Sequence, residues 1–144
     1  MLSNTSKYAI RATIYIALNS KKGEKIDIKT IAAALNIPYP FLAKILQTLA
    51  KQKLLLSTKG PNGGFSLARD PEKISLYEIV TVTDGSDMFD NCLISLRSCN
   101  EEDIPCPVHD KFAPLRDEIK NLFKKQTLGS LAGDIKAQER IISL

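Results

Sequence analysis

The stretch DIKTIAAALNIPYPFLAKILQTLAK, residues 27–51, decides how this chain folds. Asp27 is a credible N-cap for a short helix over Ile28 to Leu35, with Ile26 and Ile31 spaced as its hydrophobic staple. Asn36-Ile37-Pro38 then reads as a tight turn, because Asn tolerates the left-handed conformation and Pro cannot continue the helix. A second helix of this unit runs from about Pro40 to Lys53. Phe41, Leu42, Ile45, Leu46 and Leu49 form its expected buried stripe, and Lys44, Gln47, Thr48, Lys51 and Gln52 are left on the outer face. Two short helices joined by a tight turn, the second basic on its exposed side, make a helix-turn-helix. Its second helix is the one that enters a major groove.

Downstream, Leu54 to Thr58 and Phe65 to Ala68 read as two strands around Lys59-Gly60-Pro61-Asn62-Gly63-Gly64. Three Gly and one Pro in six residues make a hairpin tip that can approach another backbone closely. That is a wing, a β-ribbon able to set Lys59 and backbone amides against phosphate. A nucleotide-cradling loop fits less well, since no Gly-Lys-Ser/Thr follows and the loop leads into a strand. Upstream, Ser6 to Leu18 is an amphipathic helix. Ser75-Leu76-Tyr77-Glu78 is a capping box that opens a helix to about Thr83, with Ile74 and Ile79 as its staple.

Asp84 to Asp110 then holds all three Cys, the only His and few regular signals, so it reads as a loop. Beyond it Phe112, Leu115, Ile119, Leu122 and Phe123 form a coiled-coil-like seam on a helix from about Lys111 to Gln126, with Pro114 tolerated in its first turn. Thr127 caps a last helix to Ile142. The expected architecture is mainly α with a small β-wing. It comprises a winged helix-turn-helix over 1–83, a cysteine-bearing loop over 84–110, and a dimerisation helix with a C-terminal helix over 111–144.

Composition agrees with a single globular unit. The 144 residues are 44% hydrophobic and 25% charged, which excludes wholesale disorder. No apolar run approaches the roughly 18 residues of a membrane span, and no secretory signal opens the chain, so a cytoplasmic location is expected. The net charge of +4 hides an asymmetry: residues 1–70 carry +8 and the remainder −4. Such a division is expected when one half meets a polyanion and the other does something else.

Cys92, Cys99, Cys106 and His109 form a Cys-x6-Cys-x6-Cys-x2-His array. Three thiolates and an imidazole suit zinc or an iron–sulfur cluster. Zinc sites usually use tight Cys-x2-Cys knuckles, so six-residue gaps favour the larger object. Pro105 and Pro107 flank Cys106 and fix its backbone. Three buried thiols and a disulfide switch stand as alternatives. A catalytic Cys–His pair lacks an orienting partner and an oxyanion hole, so an enzyme is not expected.

On these stretches the chain resembles the Rrf2 family of winged-helix regulators, and within it the IscR/NsrR-like cluster-binding members. The matching residues are Ser6-Lys7-Tyr8-Ala9-Ile10-Arg11-Ala12, Ile31-Ala32, Ile37-Pro38, and Lys59 through Arg69. Ile74-Ser75-Leu76, the cysteine array and Thr127-Leu128-Gly129 complete the match. The resemblance implies a homodimeric repressor or activator of transcription, dimerising through Phe112, Leu115, Ile119, Leu122 and Phe123. It implies Cys92, Cys99 and Cys106 as ligands of an iron–sulfur cluster, 2Fe–2S or else 4Fe–4S, with His109 as the fourth. NsrR-like members take an acidic ligand from the first helix, where this chain has Lys7, so the IscR-like set is implied.

The expected partner is double-stranded DNA, a pseudo-palindromic operator. Lys44, Gln47, Thr48 and Lys51 would supply groove and phosphate contacts, supported by Lys29 and Tyr39, with Lys59, Gly60, Pro61, Asn62 and Gly63 at the wing. Lys44 and Thr48, one turn apart, are the choice for base edges. Ala43 stands where some relatives carry an acid that takes part in base choice. A cluster-free thiol-switch or zinc regulator, or an iron–sulfur or zinc module docking on a partner protein, is the competing reading.

Overall fold

A computed structural model describes residues 1–21, 23–94 and 106–138. Seven helices and one hairpin are found among them: α1 (Asn4–Asn19), α2 (Ile28–Leu35), α3 (Tyr39–Lys51), β1 (Leu55–Thr58), β2 (Gly64–Leu67), α4 (Leu76–Asp84), α5 (Asp87–Asp90), α6 (His109–Lys125) and α7 (Leu128–Gln138). The architecture is mainly α with a two-stranded antiparallel wing, as the sequence predicts. None of the described helices is long and apolar enough to cross a membrane.

The core forms where α1, α2 and α3 converge on the inner face of the wing. Ala9, Ala12 and Ile16 of α1 meet Ile31 of α2, Leu42, Leu46 and Leu49 of α3, and Leu55 of β1, all fully buried or nearly so. Each of these buried Ile and Leu side chains contributes about 1.5–3 kcal/mol of burial, which is what fixes helices too short to persist alone. α7 closes the same core: Leu128 is fully buried, and its N–H donates to the Ile74 carbonyl at 2.9 Å. The last helix therefore packs back on α1.

The helix ends explain the boundaries. α2 stops because Asn36 adopts φ 52°, and the next N–H, of Ile37, reaches back to the Ala32 carbonyl at 3.0 Å. That is a Schellman ending, which leaves Ile37 buried. Asp27 takes the extended backbone of an N-cap, but its side chain makes no capping hydrogen bond. α3 ends two residues earlier than expected, because Lys53 takes φ 60° and Leu54 N–H bonds the Leu49 carbonyl at 3.0 Å. The Ser75–Glu78 capping box is present in both directions. Thr127 caps α7 through the Ser130 N–H at 3.1 Å. The described part of α7 ends at Gln138, so the expected run to Ile142 lies partly outside the described residues.

Three expectations need correction. Phe41 does not join the buried stripe of α3; it is 44% exposed at the flank of the helix, where its ring meets Tyr8 edge to face. The region from Asp84 is not wholly loop: α5 forms there, pinned by Phe89, which packs between Tyr77 and Phe123. Pro114 is not in a first turn, because α6 begins at His109 and the proline lies inside the helix.

Candidate nucleic-acid interface

The outer face of α3 presents Lys44, Gln47, Thr48 and Lys51, all exposed, over about two turns. They share that face because their neighbours Leu42, Ile45, Leu46 and Leu49 take the opposite one into the core. Thr48 Oγ1 donates to the Lys44 carbonyl at 2.9 Å, so its hydroxyl hydrogen is used within the helix and its methyl and lone pairs remain for a partner. Tyr39 stands exposed at the start of α3 and Lys29 on α2. The α3 segment contains no Asp or Glu, so nothing on it repels phosphate.

The wing is held by a device the sequence did not announce. Ile26, just before α2, exchanges both backbone hydrogen bonds with Phe65 of β2, each 2.9 Å. That bridge locks the hairpin to the helix-turn-helix, so the tip cannot swing independently of α3. Gly64 makes the approach possible: at φ +155° its absent Cβ would lie 2.5 Å from the Ile26 carbonyl oxygen. At the tip, Gly63 N–H donates to the Gly60 carbonyl at 2.9 Å, and a Cβ on Gly63 would run into the Thr58 carbonyl. Lys59, Gly60, Pro61 and Asn62 are exposed there and Gly63 is half-buried.

The cysteine region joins α5 to α6. Cys92, almost fully buried, follows α5; Cys106 precedes α6, and its carbonyl accepts from His109 N–H at 2.9 Å. The two sulfurs face each other as a disulfide pair, with Cα atoms 7.3 Å apart. Cys99 lies outside the described residues. His109 is the first residue of α6, one turn beyond Cys106. Among the described residues, no three His, Cys, Asp or Glu side chains converge on one point. The structure thus brings together two of the four expected ligands, whose thiolates, when reduced, would be suitable donors for one soft metal group.

The start of the region is anchored at two points. Asp84, closing α4, accepts from Ser3 N–H at 2.9 Å and from the Ser3 hydroxyl. Burial pushes its carboxyl up, but these bonds outweigh burial and hold it below the usual carboxylate range. Asp90 pairs with Lys120 of α6 at 2.7 Å; that hydrogen bond lowers Asp90 and raises Lys120. Lys124 covers the Tyr77 ring at 5.1 Å.

The α6 seam divides in two. Phe123 turns inward, its ring 5.3 Å from Phe89. Leu115 and Leu122, seven residues apart on one face, are 57% and 54% exposed, with Ile119 half-buried between them and Phe112 half-buried one turn before. Two leucines in a row facing water on a helix are apolar surface without a cover in one chain.

Comparison with known proteins gives a consistent result. The profile of the Rrf2 family, described as iron-dependent transcriptional regulators, matches residues 2–134. A protein of Aquifex aeolicus (strain VF5) described as an HTH-type transcriptional regulator is 38% identical over 132 residues, covering 91% of this chain and 90% of that protein. The transcriptional regulator IscR of Cronobacter sakazakii is 28% identical, covering 92% and 80%. Among solved structures, CymR, the global cysteine regulator of B. subtilis, superposes with a TM-score of 0.76 at 24% identity, covering 93% of this chain and 97% of that one.

Proposed function

Because this chain belongs to the Rrf2 family of transcriptional regulators, we propose that it reads a pseudo-palindromic operator as a homodimer and sets that reading by the state of a group held in its cysteine loop. The observation that carries the DNA-reading part is the shared exposed face of Lys44, Gln47, Thr48 and Lys51 beside a wing locked to α2. Lys44 and Thr48 address base edges, Gln47 and Lys51 address the adjoining groove and backbone, and Lys29 and Tyr39 support them. The tip from Lys59 through Gly63 takes the next phosphates. Leu115, Ile119 and Leu122, with Phe112, supply the seam on which a second copy packs, while Phe123 backs α6 from inside.

Cys92, Cys99 and Cys106, with His109, are the ligand set of an iron–sulfur cluster in this reading, 2Fe–2S in composition. Such a group, when bound, supplies a centre whose ligation answers to oxidation, nitric oxide and iron supply. The chain's own part is mechanical. Cys92 is carried by the end of α5 and Cys106 by the start of α6, so the spacing of these two thiols sets how α6 lies against α4 and α5. Since α6 carries the dimer seam, that spacing sets the separation of the two α3 helices.

A second reading is favoured by one observation, the sulfur-to-sulfur pairing of Cys92 and Cys106. In it the two thiols give up two electrons and two protons to an oxidant and close as a disulfide, with no metal.

The test begins with protein purified without oxygen, assayed for iron, acid-labile sulfide and visible absorption alongside Cys106→Ala. Stoichiometric sulfide and a spectrum that bleaches in the variant support the cluster. Colourless protein free of both after reconstitution leaves the thiol switch. Selection of bound duplexes from random DNA, repeated at two salt concentrations, tests the other half. A salt-sensitive, two-fold-symmetric site is expected, and absence of any sequence preference would refute the operator reading.

A further inference from the structure

We infer that the first turn of α3 reads a thymine by its C5-methyl group, with Phe41 as the contacting side chain. The inference rests on the DNA-reading role proposed above and names the base chemistry of that site.

Phe41 is 44% exposed, while Leu42, Ile45, Leu46 and Leu49 of the same helix are buried. A ring left half in water is not explained by the core. Its position is fixed all the same, since the Tyr8 ring of α1 meets it edge to face at 5.7 Å and 89°. A side chain already ordered loses little rotamer freedom when a partner arrives. Lys44 and Thr48 lie three and seven residues further along, so Phe41 heads the stripe expected to face base edges. Recognition helices contact bases with their N-terminal residues, where Phe41 sits.

The chemistry of the stripe selects the base. In the major groove thymine alone offers a methyl group, and an apolar side chain is its complement. Cytosine presents an exocyclic amine there instead, for which the Phe41 ring has no acceptor and a carboxylate is the usual partner. The α3 segment has no Asp or Glu. Thr48, with its hydroxyl hydrogen spent on the Lys44 carbonyl, extends the same apolar row by a methyl.

The test alters the DNA first, so that protein folding cannot mimic the result. Duplexes selected by the full-length protein are remade with deoxyuridine replacing each thymine in turn, and affinities are measured by fluorescence anisotropy. One thymine per half-site is expected at which loss of the methyl weakens binding about fourfold, the equilibrium equivalent of exposing one buried methyl group. Phe41→Ala protein should show no loss at that position. As a check that needs no variant, iodo-deoxyuridine placed there and irradiated should cross-link to the peptide bearing Phe41. Uridine tolerated at every position, a loss undiminished in Phe41→Ala, or a cross-link on Tyr39 instead would overturn the assignment while leaving the operator reading intact. A selection that enriches no sequence would remove both.

Discussion

Replacing Gly64 with Ala should release the wing from the helix-turn-helix. At φ +155° the new Cβ meets the Ile26 carbonyl oxygen at 2.5 Å, its carbon at 2.7 Å and the Asp27 nitrogen at 3.1 Å. All three are backbone atoms, so relief requires the Ile26 segment to move. Movement breaks the two Ile26–Phe65 hydrogen bonds, each worth about 1 kcal/mol net. The unfavourable dihedral adds roughly 1 kcal/mol. A loss of about 3 kcal/mol follows, a fall in Tm on the order of 10 °C for a chain of this size. Gly60→Ala is the control, for φ is +104° there but no atom lies within 4 Å of its Cβ. It should cost about 1 kcal/mol, from the dihedral alone. Thermal and urea unfolding of reduced protein measure both. The reasoning is refuted if Gly64→Ala stays within about 0.5 kcal/mol of the parent, or if the two variants lose the same amount.

Lys53→Gly should stabilise the protein by about 0.5–1 kcal/mol, because Lys53 holds a left-handed dihedral that glycine adopts without strain; urea unfolding reads the change. If α6 carries the proposed dimer seam, Leu115→Lys with Leu122→Lys should leave the protein monomeric at micromolar concentration where the parent is dimeric, since each half-exposed leucine gives up about 1 kcal/mol or more of interfacial burial per protomer. Sedimentation velocity shows it, and an unchanged dimer would place the seam elsewhere. The Asp90–Lys120 pair gives a signed pH effect. Asp90 is lowered by the Lys120 hydrogen bond, so its stabilisation is present above the ordinary carboxylate pKa and is lost as pH falls through its folded value. Lys120 is raised by Asp90, so its share persists below the ordinary lysine pKa and is lost as pH rises through its folded value. Asp90→Asn should flatten the acid limb of the stability profile by a small amount, as suits a partly exposed pair.

Features governed by local chemistry were legible in the sequence. Asn36 announces the left-handed end of α2, and Ser75 with Glu78 announces the start of α4, because each is satisfied within a few residues. The outer face of α3 followed from periodicity. What failed was set by distant partners. Phe41 fits the apolar period, yet the tertiary packing leaves it 44% exposed, with its ring against Tyr8 of another helix. Phe89 has no periodic companions, and it is buried by Tyr77 and Phe123 from two other helices. Nothing in a lysine signals the left-handed turn at Lys53. The Ile26–Phe65 bridge joins residues 39 positions apart, with Gly64 its one local sign.

The acidic half of the chain does more than offset the basic one. Asp84 and Asp90, which bracket α5, fasten the base of the cysteine region to Ser3 at the start of α1 and to Lys120 on α6. Five residues beyond Ser3, Tyr8 supports Phe41 at the head of α3. A continuous series of contacts therefore runs from the loop base, through one rigid helix, to the side chain assigned to a base. Contact alone does not establish coupling, so the series has to be cut. Ser3→Ala removes the cap on Ser6 N–H and one bond to Asp84, and should cost about 1 kcal/mol of stability. Asp84→Ala removes both bonds from Ser3. If α1 carries the loop's state to α3, both variants should narrow the difference in operator affinity between oxidised and reduced protein, and Asp84→Ala should narrow it more. A difference of unchanged size in both would assign the coupling to α6 and the dimer seam instead.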